Sequence, residues 1–226
     1  MTQWLEQGVE ALLFDLDGTL VDSSGDLCGA LNTTLQKLGP ETPPLTKVAV
    51  RRMIGSGARV LVARGLEATG LSANLERALE IFLESYRARL LETTHLYPGV
   101  REVLETLRAQ TLSVLTNKPG DLSRAILEGL GVADHFSRVC GAGDGQPKKP
   151  DPEALRWLMR ELDASVPATC LVGDSGLDVE TGRAAGVATI GITGGFDPDG
   201  VAAARPDRLV DDIGGLVPAL HDLFAR

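Results

Sequence analysis

Two aspartates near the start of the chain have the type and spacing of residues that do chemistry together. Asp15 and Asp17 follow a short apolar run, residues 11–14, and precede Gly18; this pattern is typical of a buried strand that ends in a tight turn. Because side chains alternate along a strand, both carboxylates would project to the same side. Burying two like charges is costly unless a cation or a shared proton offsets them. If other residues of a charged site lie nearby, the pair predicts such a site. If none do, the pair is typical of an ordinary Asp-Gly turn.

Other polar side chains stand where further strands are predicted to end: Thr116 and Asn117, Lys148 and Lys149, Asp174 and Asp178. Taken singly, these groups are typical of turns, solvated charge pairs and helix caps. Together with Asp15 and Asp17, they combine carboxylates with a hydroxyl and a lysine. Oxygen ligands suit Mg²⁺, which binds one or two carboxylates along with waters and substrate oxygens, and the lysine and hydroxyl suit phosphoryl oxygens. The combination predicts a hard-cation site beside a phosphate site.

The elements that must position these residues follow an α/β pattern. Apolar stretches in the second half of the chain predict strands, with helices between them, at residues 112–115, 138–140, 169–172, 187–192 and 209–210. Strands that alternate with helices imply a parallel sheet with helices on both faces. In such folds ligands sit beyond the carboxyl ends of the strands, so the polar groups would share one edge of the sheet.

The segment after the first strand has a different character. Helical stripes fill it, including a long helix that Ser72 can cap, and no stretch of it predicts a strand. We therefore expect a discontinuous α/β core domain, residues 1–20 and 95–226, which is interrupted after its first strand by a small all-helical cap domain, residues 21–94.

Composition narrows the class of partner. The 226 residues carry 22 basic and 31 acidic side chains, a net charge of −9, which argues against nucleic acid or an anionic membrane as the main partner. The three cysteines, Cys28, Cys140 and Cys170, are scattered, which favours reduced thiols and a cytoplasmic setting. The first residues carry no basic leader and no apolar run reaches membrane-spanning length, so we expect the protein not to be exported. Both a monomer and a homodimer are compatible with the sequence.

Four motifs, FDLDGTLVDS, LTNKP, KKPDP and VGDSGLD in this order, resemble those of the haloacid dehalogenase superfamily of phosphohydrolases. The resemblance runs through the whole chain and implies a Rossmann-like parallel-sheet core with a helical cap. Within the superfamily, TLVDS, MIGSGARVLV, HLYPGV and GITGGF resemble phosphoglycolate phosphatases and their close relatives. This implies a Mg²⁺-dependent phosphatase for a small phosphomonoester, with 2-phosphoglycolate as the first substrate to expect. Another sugar or amino-sugar phosphate, or pyrophosphate, is the alternative within the same chemistry.

The resemblance also implies roles for the acidic residues. Asp15 would attack phosphorus and form an aspartyl-phosphate. Asp17 would act as general acid to the leaving alkoxide and then as general base on the attacking water. Asp15, the backbone carbonyl of Asp17 and Asp174 would hold Mg²⁺, with Asp178 binding the waters of the metal.

Further roles concern the phosphate and the rest of the substrate. Thr116 and Asn117 would bind the transferring phosphoryl group, and Lys149 would balance charge and orient the nucleophile. Specificity should come from the cap, which closes over the site and excludes water. There, Gly55 is a candidate for a turn that reaches the leaving group. Arg59 is a candidate partner for a substrate carboxylate, although a solvated helix position suits Arg59 equally well.

Particular residues disfavour relatives with other activities. Thr19, after Asp17-Gly18, follows the pattern of the phosphatases, whereas mutases with a similar cap usually carry an aliphatic residue there. Dehalogenases lack the second aspartate, and phosphonatases use a cap lysine, for which Lys37 and Lys47 lack an obviously buried apolar context. A phosphosugar mutase stays the alternative enzyme, and a non-catalytic regulatory descendant of the fold is the alternative of another class.

Overall fold

The computed structural model describes residues 8–225. Residues 1–7 and Arg226 lie outside the described residues. Residues 1–7 belong to the predicted core segment 1–20 and to the stretch in which no leader is expected. The strands of the described part are β1 (Ala11–Phe14), β2 (Val21–Asp22), β3 (His95–Leu96), β4 (Thr111–Pro119), β5 (Arg138–Ala142), β6 (Thr169–Gly173), β7 (Ala188–Ile192) and β8 (Arg208–Val210). The α-helices are α1 (Ser24–Leu38), α2 (Lys47–Arg51), α3 (Ala58–Thr69), α4 (Leu75–Ala88), α5 (Val100–Thr106), α6 (Gly120–Gly129), α7 (Glu153–Glu161), α8 (Gly176–Ala185), α9 (Pro198–Ala203) and α10 (Leu216–Phe224).

Strand β1 lies inside a parallel sheet of six strands, in the order β5-β4-β1-β6-β7-β8. All of its residues are fully buried, which is why it is an uninterrupted apolar run, as in other sheets covered on both faces. Phe14 lies opposite Val114 of β4 and Val172 of β6. The ends of these three strands therefore lie side by side. The α/β fold predicted from the alternation of elements is confirmed.

The side chains of β1 point alternately to the two faces of the sheet. Leu12 and Phe14 belong to a core cluster with residues of α5, α6 and α10. Ala11 and Leu13 belong to a second cluster, with residues of α7. Helices thus cover both faces of the strand that carries Asp15 at its end.

Helices α1 to α4 lie in the chain between β2 and β3 and build an apolar cluster of their own. Leu31 of α1, Val62 of α3 and Phe82 of α4 are buried in it. Leu122 of α6 belongs to the same cluster, so the helical segment packs directly against a helix that flanks the sheet. In α4, the rings of Phe82 and Tyr86 stack with their centres 5.8 Å apart.

A small antiparallel ribbon joins the helical segment to the rest of the chain. Val21 lies opposite Leu96, and Asp22 lies opposite His95. The sequence predicted no strand over residues 21–94, and this prediction was wrong at β2. Two residues are too few to show a period of two, and their partner strand lies on the far side of four helices.

Two further details of the helices differ from the predictions. Asn74, rather than Ser72, caps α4, because its side chain accepts a hydrogen bond from Arg77 N at 3.0 Å. Helix α9 was not predicted, although Asp197 caps it by accepting from Gly200 N at 3.1 Å and Pro198 occupies its first position. An Asp-Pro pair of this kind is an ordinary signal of a helix start.

Within residues 8–225, none of the helices combines the length and the apolar character needed to cross a membrane. The three cysteines are free, Cys28 being half-buried and Cys140 and Cys170 buried. Burial raises the pKa of the Cys140 thiol to about 11, so this thiol is protonated and unreactive at neutral pH.

Candidate active site

Asp15 stands at the first residue beyond β1 and is held there by the neighbouring strand. Its backbone N–H donates to Val172 O at 2.9 Å, which continues the parallel pairing to β6. Its carboxylate oxygen Oδ1 accepts from Leu16 N at 2.7 Å and lies 3.0 Å from Lys149 Nζ. Burial raises the pKa of Asp15 to about 6, and the nearby ammonium of Lys149 opposes the rise.

Lys149 joins two of the predicted carboxylates. Its Nζ lies 3.0 Å from Asp15 Oδ1 and 2.6 Å from Asp178 Oδ1, and its side chain is almost fully buried. Burial alone would lower the pKa of Lys149, but the charges of Asp15 and Asp178 raise it, so the lysine is an ammonium ion. It therefore offsets part of the negative charge in the site.

Asp174 and Asp178 lie on either side of the start of α8, where a serine turn fixes them. Ser175 Oγ donates to Asp178 Oδ2 at 2.7 Å and Ser175 N to the same oxygen at 3.1 Å, as in a capping box. Asp174 Oδ2 accepts from Phe196 N at 2.5 Å. Burial, together with the charges of Asp15 and Asp178, raises the pKa of Asp174 well above its ordinary value.

Gly18 lets the turn after β1 approach Asp174 closely. Its φ is +89°, a conformation that glycine adopts at little cost. A Cβ at this position would overlap the carboxylate of Asp174. The next residue, Thr19, donates from Oγ1 to Asp174 Oδ1 at 3.3 Å. The turn that carries Asp17 is thus packed against the carboxylate at the end of β6.

The buried carboxylates fit a divalent cation. Asp15, Asp174 and Asp178 each offer an oxygen within 4.8 Å of the others, and Lys149 supplies only one positive charge for the three. A donor set of oxygens alone suits hard cations such as Mg²⁺. The carboxylate of Asp17 does not belong to this group.

Asp17 instead forms an ion pair that the sequence analysis missed. Lys118 Nζ donates to Asp17 Oδ1 at 3.0 Å and to Oδ2 at 2.9 Å, and Ser23 Oγ donates to Oδ1 at 2.5 Å. Lys118 is 5% exposed. Burial alone would lower the pKa of Lys118, but Asp17 raises it. No clear signal for this pair is present in the sequence: the strand was predicted to end at residue 115, whereas β4 extends to Pro119, with an irregular register beyond Leu115.

Thr116 and Asn117 lie at the sheet edge but differ in the bonds they make. Thr116 is buried and its hydroxyl accepts from Lys118 N at 3.3 Å. The side-chain amide of Asn117 donates to Gly55 O and to Lys149 O, both at 3.1 Å, and its oxygen accepts from Lys149 N at 2.8 Å. Asn117 thus fixes the lysine loop in place and contacts the helical segment.

Among the contacts that hold the helical segment over this edge of the sheet are two hydrogen bonds. One is the bond from Asn117 to Gly55 O. The other is made by Arg51 of α2, whose guanidinium donates to Gly195 O at 2.5 Å and lies 5.1 Å from the centre of the Phe196 ring. Phe196 N also donates to Asp174. Phe196 therefore links Arg51 of the helical segment to the carboxylate cluster.

A cavity lies between the helical segment and the sheet edge. Asp15, Asp17 and Thr116 line it from the sheet, and Gly55, Phe82 and Tyr86 from the helical segment. The space that the centres of water molecules can reach inside it is about 40 Å³. Arg59 lies elsewhere: it is exposed on α3 and forms an ion pair with Glu76.

The chain resembles known proteins over most of its length. A family model described as haloacid dehalogenase-like hydrolase matches residues 12–192. Over 220 residues the chain is 38% identical to the phosphoglycolate phosphatase of Pseudomonas putida, an alignment that covers 93% of this chain and 79% of that protein. Over 216 residues it is 39% identical to the phosphoglycolate phosphatase of Rhodospirillum rubrum, with 92% and 89% covered.

A solved structure agrees with these matches. The crystal structure of a Haemophilus somnus protein, described as a predicted phosphoglycolate phosphatase, superposes with a TM-score of 0.87 at 30% identity and covers 93% of this chain and 97% of that one. Family model, relatives and fold agree, and the chain belongs to the haloacid dehalogenase-like hydrolase family.

Proposed function

We propose that the protein is a Mg²⁺-dependent phosphoric monoester hydrolase that acts through an aspartyl-phosphate, with 2-phosphoglycolate as its first candidate substrate. The observation that carries the proposal is the buried group of Asp15, Lys149, Asp174 and Asp178 at one edge of the sheet. The names of the relatives at 38% and 39% identity support the substrate. In this proposal, residues 21–94 are the cap domain, and residues 1–20 and 95–226 are the core.

Asp15 is the nucleophile in the proposed reaction. Leu16 N and Lys149 Nζ both contact Oδ1, so Oδ2 is the oxygen left to attack phosphorus. A bond forms between Asp15 and phosphorus while the bond from phosphorus to the alcohol oxygen breaks, and water then cleaves the aspartyl-phosphate. Lys149 favours the ionised form of Asp15, which is the form that attacks.

Asp17, in its protonated form, gives its proton to the leaving alcohol, and the carboxylate that results takes a proton from the attacking water. Its bonds to Ser23 and Lys118 hold the carboxylate in one orientation beside the nucleophile. Thr116 binds a phosphoryl oxygen through its hydroxyl. Because the side-chain amide of Asn117 is engaged with protein carbonyls, we assign its contribution to its backbone N–H.

The carboxylate cluster would hold the metal. Asp15, Asp174 and the backbone carbonyl of Asp17 would bind Mg²⁺, with Asp178 on its waters, and the ion would supply positive charge that offsets repulsion between the nucleophile and the phosphate dianion. Through such a local charge, a protein with a net charge of −9 can take an anionic substrate.

The proposal is tested by kcat/KM for 2-phosphoglycolate against a panel of small phosphomonoesters, sugar and amino-sugar phosphates and pyrophosphate. Each is measured with Mg²⁺ and with chelator. We expect turnover that requires the metal and prefers 2-phosphoglycolate. A preference for another ester would keep the mechanism and discard the substrate, and an aspartyl-phosphate that persists until a second sugar binds would indicate a mutase.

Asp15→Asn is the control for contaminating phosphatases and tests the nucleophile. We expect it to abolish turnover and to leave the melting temperature unchanged or higher, because it removes a buried like charge. Residual activity above about 1% of the wild-type rate, a change of under 3 kcal/mol in the barrier, would remove Asp15 from this role.

A further inference from the structure

The cavity beside Asp17 combines an apolar wall from the helical segment with polar groups, most of them from the sheet edge. Leu27, Leu61 and Phe82 line it from the helical segment. Asp15 and Asp17 are its acidic residues, and each is paired with a lysine. Thr116 and Asn117 also line the cavity and are assigned to the phosphoryl group. The other side-chain hydrogen-bond donors in its wall are the ammonium of Lys118 and the hydroxyl of Tyr86. Both residues are more than nine-tenths buried.

Lys118 is the one cation among the described residues that line this cavity. An ammonium ion carries three N–H donors, and two of the contacts it makes in the structure go to the carboxylate of Asp17. Its Nζ lies 4.6 Å from the centre of the Tyr86 ring. The third donor of Lys118 is therefore left for the side of the cavity that faces α4, where the hydroxyl of Tyr86 lies within its reach.

The hydroxyl of Tyr86 is buried next to the ammonium of Lys118, and it has no other hydrogen-bond partner among the described residues. A tyrosine hydroxyl that is buried usually finds a partner, so one in a cavity wall that lacks an acceptor points to a ligand. The stacking of Tyr86 on Phe82 fixes the ring. Burial raises the pKa of Tyr86 to about 12, which keeps the hydroxyl a donor.

We propose that Lys118 and Tyr86 together bind an acidic group, a carboxylate, on the alcohol half of the substrate. This inference rests on the proposed function, in which Asp17 touches the oxygen of the leaving alcohol. A group bonded to that alcohol's carbon would reach the residues beside Asp17. Charge-assisted bonds to an ammonium are about twice as strong as neutral ones, so the pair selects an anion over a hydroxyl.

The size of the cavity agrees with a small acid. The space that water centres can reach inside it is about 40 Å³, which favours a small acid over a sugar ring. Lys118 comes from the sheet and Tyr86 from α4, so the subsite is complete only when the helical segment lies over the sheet. The sequence made Arg59 a candidate partner for a substrate carboxylate. In the present proposal the partners are Lys118 and Tyr86, which line the cavity.

The test measures binding rather than turnover. The Asp15→Asn protein is titrated calorimetrically, in Mg²⁺, with 2-phosphoglycolate and with 2-hydroxyethyl phosphate, which replaces the carboxylate by a neutral group. We expect 2-phosphoglycolate to bind at least about tenfold more tightly, the factor that one hydrogen bond to a charged group supplies. Adding Tyr86→Phe should remove most of this preference and leave the affinity for 2-hydroxyethyl phosphate nearly unchanged.

Matched variants separate the subsite from general effects. Tyr97→Phe also removes a buried hydroxyl without a partner, but Tyr97 does not line this cavity, so the preference should persist. Lys118→Met should weaken 2-phosphoglycolate more than Tyr86→Phe does, with Lys37→Met as its exposed charge control. Equal affinity for the two esters, or a preference that survives Tyr86→Phe, would overturn the subsite. Because binding is read without catalysis, these results are distinct from a failure of wild-type turnover, which would refute the proposed function instead.

Discussion

At the residue scale, the site concentrates more negative charge than its lysine offsets. Asp174 is 2% exposed, and burial followed by the charges of Asp15 and Asp178 raises its pKa. Such a carboxylate destabilises the metal-free protein when it is ionised. A bound divalent cation would reverse the sign of this effect. If Asp174 holds the proposed metal, the same side chain would therefore weaken the fold without metal and strengthen it with metal.

Asp174→Asn should separate these two effects. The amide oxygen of the new asparagine can accept from Phe196 N, and its nitrogen can donate to Thr19 Oγ1. Both hydrogen bonds of Asp174 can therefore be replaced. We expect the melting temperature in chelator to be unchanged or higher, at about 2–4 °C for each kcal/mol gained. The rise in melting temperature that Mg²⁺ gives the wild-type protein should be largely lost.

Thermal unfolding with chelator and with Mg²⁺ measures both quantities. Asp134→Asn, which neutralises an exposed carboxylate, should show the wild-type response to Mg²⁺. A loss of several degrees in chelator, or an undiminished Mg²⁺ response, would speak against a metal held by Asp174.

Residues at strand ends were the most predictable part of the site. Asp15 was proposed from its place after an apolar run and from motif resemblance, and Lys149 from motif resemblance; the structure puts them 3.0 Å apart. Tyr86 packs its ring into the apolar cluster of the helical segment. Its hydroxyl faces the cavity only because α4 crosses the sheet edge, and a helical stripe in a sequence carries no information about where the helix docks.

At the element scale, the start of α1 is tied to the segment that returns to the sheet. Asp26, in the first turn of α1, accepts from Thr93 N at 2.9 Å and Thr93 Oγ1 at 2.6 Å through Oδ1. It accepts from Thr94 N at 2.9 Å and Thr94 Oγ1 at 2.6 Å through Oδ2. These bonds lie next to the β2–β3 ribbon. The carboxylate of Asp26 therefore ties together the two chain segments that lead into and out of the helical segment.

Asp26→Asn should destabilise the fold by about 1–3 kcal/mol at neutral pH, because an amide nitrogen cannot accept from the two threonines. Burial alone would raise the pKa of Asp26, but the hydrogen bonds from Thr93 and Thr94 lower it. The folded protein thus binds this proton more weakly than the unfolded chain. The stability that Asp26 adds is present above the unfolded pKa of about 3.9 and is lost as the pH falls through the folded value.

Urea unfolding of the wild type and Asp26→Asn between pH 7 and pH 3 measures this difference directly. The gap between the two free energies of unfolding should be constant down to about pH 5 and should shrink below about pH 4. A gap of the same size at pH 3, or no gap at pH 7, would contradict the assigned role. Asp134→Asn serves again as the exposed control.

Regular elements were predicted more reliably than the short ones that join them. The strand predicted over residues 11–14 has the bounds of β1. The ribbon of β2 and β3 could not be predicted, because its two pairs depend on contacts made by distant parts of the chain. Helix α9 is too short to show a helical period, although its Asp197 cap and Pro198 are local signals.

For the whole molecule, the net charge of −9 should repel an anionic substrate at long range. Salt screens that repulsion, since the Debye length falls from about 30 Å at 0.01 M to about 8 Å at 0.15 M. We expect kcat/KM for 2-phosphoglycolate, at saturating Mg²⁺, to rise about twofold or more over this range of ionic strength, with little change in kcat. Steady-state kinetics in increasing KCl checks it, and a fall in kcat/KM would mean that the local positive groups dominate the field.

The place of β1 in the sheet also bears on how the protein is synthesised. Ala11 pairs with Thr111 on one side and with Thr169 on the other, so both neighbours of this strand are translated long after it. Helices α1 to α4 leave the ribosome in between and have a cluster of their own to collapse around. Such distant pairings form late and slowly. The nascent chain must therefore carry an unpaired apolar strand, followed by a folded helical segment, until its partners arrive, and this interval is when the protein has most need of a chaperone.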